Sequence, residues 1–131
     1  MEQRINLITL GVDDLGRARR FYEGGLGWQP VQEAEDIVFY KLGEGFILAL
    51  WPRELLREDA KLATWGQGGF TLAQNYPERE QVDAAMNRAV AAGATLLKAA
   101  EETPWGGYSG YVADPEGNVW EFAAPVLEIM K

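Results

Sequence analysis

A strand, a helix and three further strands follow one another twice along this 131-residue chain, and that recurrence restricts the fold more than any other feature. In the first half, the apolar, β-branched run from Ile5 to Val12 reads as a strand buried on both faces. Asp13 or Asp14 caps the helix that follows. There Leu15, Ala18 and Tyr22 recur at helical spacing until Gly24-Gly25, which predicts a helix from about Leu15 to Glu23. Three short strands come next, near Gln29 to Glu33, Asp36 to Leu42 and Phe46 to Trp51, with Gly43-Glu44-Gly45 turning the last pair. The second half repeats this order. Phe70 to Gln74 is a strand, Pro77 opens a helix striped by Val82, Ala85, Met86, Ala89 and Val90, and Gly93 ends it. Strands at Ala94 to Lys98, Tyr108 to Ala113 and Val119 to Ala123 complete the set, with turns at Trp105-Gly106-Gly107-Tyr108 and Asp114-Pro115-Glu116-Gly117.

The halves superpose on their final hairpins. Leu42 to Leu50 lies over Asp114 to Phe122, so Glu44 meets Glu116, Gly45 meets Gly117 and Ala49 meets Glu121. This predicts one domain over residues 1–131, built from modules at about 1–52 and 67–131 and joined by a polar connector, 53–66, with one helical turn at most. A chain of this length removes about two-thirds of its unfolded surface from water, enough for a core.

Composition then excludes whole classes of chemistry. The chain has no Cys and no His, which removes disulfides, thiolate and imidazole metal sites, Cys nucleophiles and any Ser-His relay. A net charge of −8 argues against a grip on nucleic-acid phosphates and favours a cationic or neutral ligand. The polar start Met1-Glu2-Gln3-Arg4 and the absence of any long apolar run predict a cytoplasmic protein that does not span a membrane. Asp13-Asp14 and Glu101-Glu102 do not read as an acid/base dyad, because one pair caps a helix and the other lies in a loop. The cluster Arg17, Arg19 and Arg20 reads as a solvated helix face, and Trp105-Gly106-Gly107 lacks the strand-to-helix setting of a phosphate cradle.

Val12-Asp13-Asp14-Leu15, Arg20-Phe21-Tyr22, Leu26-Gly27-Trp28, Ala92-Gly93-Ala94 and the run from Asp114 to Phe122, in this order and spacing, resemble the vicinal oxygen chelate superfamily. That superfamily includes glyoxalase I, extradiol dioxygenases and the bleomycin resistance proteins. The resemblance implies an α+β fold in which two β-α-β-β-β modules form an incomplete barrel around a cavity, with helices outside. It also implies a dimer. Family enzymes usually hold a divalent metal in the cavity through His and Glu side chains. Alignment puts Leu7, Ala49, Phe70 and Glu121 at those four places, and of these only Glu121 could bind a metal. No metal and no other cofactor is therefore expected.

Strand alternation extends the cavity lining from Glu121 to Val119 and Ala123, and leaves Trp120 and Phe122 facing the helices. The same parity puts Leu7 and Thr9, Ile47, Ala49 and Trp51, and Phe70, Leu72 and Gln74 on the cavity side. Trp51 either stacks on a ligand or plugs the barrel, and Trp65, Trp105 and Tyr108, in Gly-rich loops, either contact a ligand or a second subunit or pack into the core. The resulting apolar pocket suits a small organic molecule; Glu121 in it either invites a basic ligand or is a vestige whose carboxylate meets water or an arginine at the cavity mouth. The leading expectation is a metal-independent binding protein that sequesters a cationic or aromatic drug or metabolite, contacted by Leu7, Thr9, Ala49, Trp51, Phe70, Gln74, Trp105, Tyr108 and Glu121. The alternatives are a metal-free isomerase or lyase with Glu121 as general base and Tyr40, Tyr108 or Tyr111 as partner acid, or a structural or regulatory dimer with a vestigial pocket.

Overall fold

The computed structural model describes residues 1–64, 69–114 and 117–125. Trp65, the connector's last two residues, the start of the second module at 67 and the Pro115-Glu116 tip of the final turn lie outside them. Among the described residues the first module runs β1 (Leu7–Val12), α1 (Leu15–Arg19), β2 (Gln32–Glu33), β3 (Val38–Lys41) and β4 (Ile47–Pro52). The second runs β5 (Phe70–Asn75), α3 (Arg79–Ala91), β6 (Thr95–Glu102), β7 (Tyr108–Ala113) and β8 (Val119–Ala124). Between them the connector forms α2 (Arg53–Asp59), a seven-residue helix that is longer than the single turn its polar sequence suggests.

Local chemistry explains where the helices start. Asp14 Oδ1 accepts the Arg17 amide at 2.9 Å, so the second aspartate of the pair is the cap. After Arg19 the coil widens into a π-helical turn, Arg20–Gly25, which ends at the glycine pair. Helix α3 begins two residues past Pro77 because Glu78 and Gln81 form a reciprocal capping box, with the Glu78 amide donating to Gln81 Oε1 at 2.9 Å.

The eight strands form one open sheet in the order β2-β3-β4-β1-β5-β8-β7-β6. Each module pairs its first and last strands in parallel, and the modules join through antiparallel β1 and β5. The repeat reaches down to single residues. Thr9 pairs with Ala49 as Ala73 pairs with Glu121. Leu42 donates to the Phe46 carbonyl at 2.8 Å, and Asp114 does the same to Asn118 at 2.8 Å. Gly45 and Gly117 both adopt the left-handed backbone that these turns require, with φ of 73° and 85°.

Helices α1 and α3 cover one face, whereas the connector helix α2 lies against the other, where Leu56 and Asp59 reach the cavity. Leu48 and Leu50 pack with Val38 and Tyr40 beneath Leu15, Ala18 and Tyr22, while Phe122 and Val112 pack with Val82, Ala85 and Met86 of α3, with Trp120 against them. Burying each large side chain contributes roughly 1.5–3 kcal/mol. The opposite face curves around a cavity, and the two-module α+β arrangement with helices outside is the one expected.

Candidate functional site

The cavity has a volume of about 330 Å³, and both modules and the connector contribute to its wall. Leu7 and Thr9 of β1, Trp51 of β4, and Glu121 and Ala123 of β8 stand on that wall as alternation predicts, joined by Trp105 from the loop and Tyr108 at the start of β7. Trp51 and Trp105 meet edge to face with ring centroids 6.3 Å apart. Trp105 stays 55% exposed at the surface. Tyr108 is pinned from behind: its hydroxyl donates to Asp83 Oδ1 at 2.6 Å, and the Arg79 guanidinium sits 5.1 Å from its ring centroid.

Strand β5 is one residue out of phase with the expected lining. Leu7 stands opposite Ala73 and Thr9 opposite Thr71, and directly opposed residues share a face. Thr71, Ala73 and Asn75 therefore face the cavity side, with Asn75 on the wall, whereas Phe70, Leu72 and Gln74 turn away. Phe70 is exposed on the far face. Gln74 is buried as a clip for the N-terminal segment, donating to the Glu2 carbonyl at 2.6 Å and the Arg4 carbonyl at 2.7 Å while accepting from the Tyr76 hydroxyl. Ala49 has the right parity but not the right depth. It is sealed under Leu7, Phe39 and Ile47 and does not reach the wall, and Val119 likewise packs against Tyr111 and Ala60.

The polar end of the cavity contains groups that the sequence reading overlooked. Asp59, the last residue of α2, lies on the wall beside Glu121. The Tyr111 hydroxyl donates to its Oδ2 at 2.6 Å, and Lys98 Nζ approaches its Oδ1 at 3.1 Å. Lys98 and Asp59 side chains are only 8% and 13% exposed, so the pair is largely withdrawn from water. Lys98 also lies 3.6 Å from Glu101, whose side chain is open to solvent.

Glu121 is half-buried and opens onto the cavity. Burial of its carboxylate, reinforced by the negative Asp59, pushes its pKa up to about 7; Tyr111, Lys98 and Ser109 pull in the other direction without cancelling this. The Tyr111 hydroxyl is held well above the ordinary tyrosine range by the same burial and by Glu121 and Asp59. Ser109 lines the wall, is 2% exposed, and sits close enough to Glu121 to favour its ionised form; even so, its Oγ makes no hydrogen bond of good geometry. Of the other tyrosines considered as acids, Tyr40 faces away and donates to Glu23 at 2.8 Å, where Glu23 is also paired with Arg19 at 2.7 Å.

A model of the glyoxalase/bleomycin resistance protein/dioxygenase superfamily matches residues 4–122. The chain belongs to that superfamily. A glyoxalase-related enzyme from Fulvimarina pelagi is 40% identical, with 99% of this chain and 96% of that one covered and a TM-score of 0.46. An NAD-dependent benzaldehyde dehydrogenase from Legionella pneumophila has a similar fold, with a TM-score of 0.72 at 18% identity over 90% of this chain and 96% of that one. An uncharacterised Mycobacterium bovis protein is 48% identical over 48 residues, which are 37% of this chain. The match spans about a third of the length of that relative, 32%.

The metal that superfamily enzymes hold finds a poor donor set here. The twofold register makes Thr71, not Phe70, the counterpart of Leu7, so the four places become Leu7, Ala49, Thr71 and Glu121. That leaves one carboxylate. The neighbouring Asp59 already has an ammonium on one oxygen and a phenol on the other, and among the described residues no three His, Cys, Asp or Glu side chains converge. These residues do not fit a divalent transition metal.

Proposed function

We propose that this superfamily member is a metal-independent small-molecule binding protein whose cavity takes a basic, partly aromatic organic ligand. The observation that carries the reading is Glu121, a carboxylate in a largely apolar cavity with no cationic side chain bonded to it among the described residues. An ammonium placed against it would supply the missing charge, and Trp51 and Trp105 offer ring faces and edges nearby. Sequestration needs affinity and no reaction, so this site requires no further group.

The second reading, a metal-free isomerase or lyase, gains from a general base whose pKa lies near neutrality. It is weakened by the acid. Tyr111 commits its one proton to Asp59 and is held well above the ordinary range, so it is a reluctant donor. The resemblance suggests a homodimer, the net charge of −8 argues against a nucleic-acid partner, and the polar start and lack of a long apolar run suggest a cytoplasmic protein without a membrane partner. Among the described residues no helix is long and apolar enough to cross a membrane.

Thermal-shift screening against cationic aromatic amines, with metal analysis of the purified protein, tests the proposal. Stabilisation by ligands recovered unchanged, lost in Glu121→Gln, supports it. Chemical turnover of a hit supports the enzyme. Stoichiometric zinc, iron or nickel, or silence across the panel, overturns the binding reading, and sedimentation gives the oligomeric state.

A further inference from the structure

Two carboxylates, Asp59 and Glu121, reach the same end of the cavity, and among the described residues one buried ammonium, Lys98, accompanies them. Lys98 is bonded to Asp59, so one negative charge is answered from within the protein and one is left over. Glu101, the other acid near Lys98, is open to water, where it stays hydrated and is screened by mobile ions.

We infer that the cavity is a monocation site, selecting ligands with one positive charge beside an aromatic ring, and that the Lys98–Asp59 pair sets that number at one. The inference rests on the binding reading above and adds the charge rule to it.

Ser109 supplies an observation independent of the acids. Its hydroxyl is buried on the wall next to Glu121 and lacks a well-formed hydrogen bond, a state that costs free energy unless something enters to complete it. A ligand ammonium between the two can donate one N–H to the Glu121 carboxylate and another to Ser109 Oγ. The Trp51–Trp105 pair then meets the ring that carries the amine. A second ammonium has no free carboxylate to pair with, because Asp59 accepts from both Lys98 and Tyr111. Its desolvation would go uncompensated. A neutral hydroxyl in place of the ammonium would leave Glu121 either protonated or bare.

The test compares three probes of similar size by calorimetry at neutral pH: 2-phenylethylamine, 2-phenylethanol and p-xylylenediamine. The native protein should bind the monoamine about tenfold or more tighter than either of the others. Lys98→Met should invert the order of monoamine and diamine. Lys98→Met combined with Asp59→Asn removes one charge of each sign and should restore the native order. The double variant also keeps the test alive should the single one fail to fold. Equal affinity for amine and alcohol, or a double variant that prefers the diamine, overturns the charge rule while leaving a binding cavity. Failure of all three probes, together with silence across the wider amine panel, overturns the binding reading itself.

Discussion

The Tyr111 hydroxyl donates to Asp59 Oδ2 at 2.6 Å across 52 residues of chain, fastening the end of the connector helix to the second module. Tyr111→Phe keeps the ring and deletes only this donor. We expect a loss of about 1–3 kcal/mol, the cost of a buried acceptor left short of one partner, read as a lower urea midpoint at unchanged slope. An unaltered midpoint would mean that the contact contributes no net stability.

Lys98 and Asp59 should behave as a unit. Removing the ammonium alone, as in Lys98→Met, leaves a carboxylate withdrawn from water and should cost about 3–5 kcal/mol. Adding Asp59→Asn should recover most of that loss. A double-mutant cycle in urea measures the coupling, and simple additivity would contradict it.

The raised pKa of Glu121 fixes the sign of one pH dependence. The folded state holds this proton up to about pH 7, whereas the unfolded chain releases it near the ordinary glutamate value of 4.5. Between those limits the unfolded state binds fewer protons, so stability falls as pH rises and is flat beyond them. The full effect is about 3 kcal/mol, lessened because the residue opens onto the cavity. Relative to the native protein, Glu121→Gln should lose this slope between pH 4.5 and 7 in unfolding experiments. Parallel curves would show that the carboxylate titrates normally.

Gly110 of β7 leaves no room for a side chain. A Cβ there would lie 2.7 Å from the Met86 methyl, 2.9 Å from the Ala100 amide nitrogen and 2.9 Å from the Lys98 carbonyl. The methionine can yield, but the backbone of β6 cannot. Gly110→Ala should cost about 1–3 kcal/mol or more, and should loosen β6 from β7 in hydrogen exchange.

Gln74 separates structural from ligand-contacting roles. Gln74→Leu deletes both donors to the N-terminal segment and should lower stability by about 1–3 kcal/mol. Affinity for a cavity ligand should not move, since the side chain points away from it. A calorimetric loss of affinity with no stability change would return Gln74 to the cavity.

Element order and the inward parity of β1, β4 and β8 were legible in the sequence because helical stripes and Gly-marked turns alternate cleanly with short apolar runs. The phase of β5 was not. Hydrophobicity misleads there, because the bulkier Phe70 and Leu72 lie on the side away from the cavity and the smaller Thr71, Ala73 and Asn75 face it. Only pairing with β1 decides the matter. Asp59 left no trace because it sits in a mixed-charge connector, where an acid is ordinary. Lys98 looked like the end of a strand, whereas β6 continues to Glu102 with shifts in register on either side of it. Its position between apolar Leu96-Leu97 and Ala99-Ala100 was the available signal. Glu121 was legible through parity and resemblance together.

Because Thr9 and Ala49 stand to each other as Ala73 and Glu121 do, the carboxylate of the second half has a methyl as its counterpart in the first. A protein assembled this way can vary one position of such a pair while Glu121, at the other, stays untouched. Ala49, a methyl where its twin bears a carboxylate, is the place where such an experiment by descent, or by design, would begin.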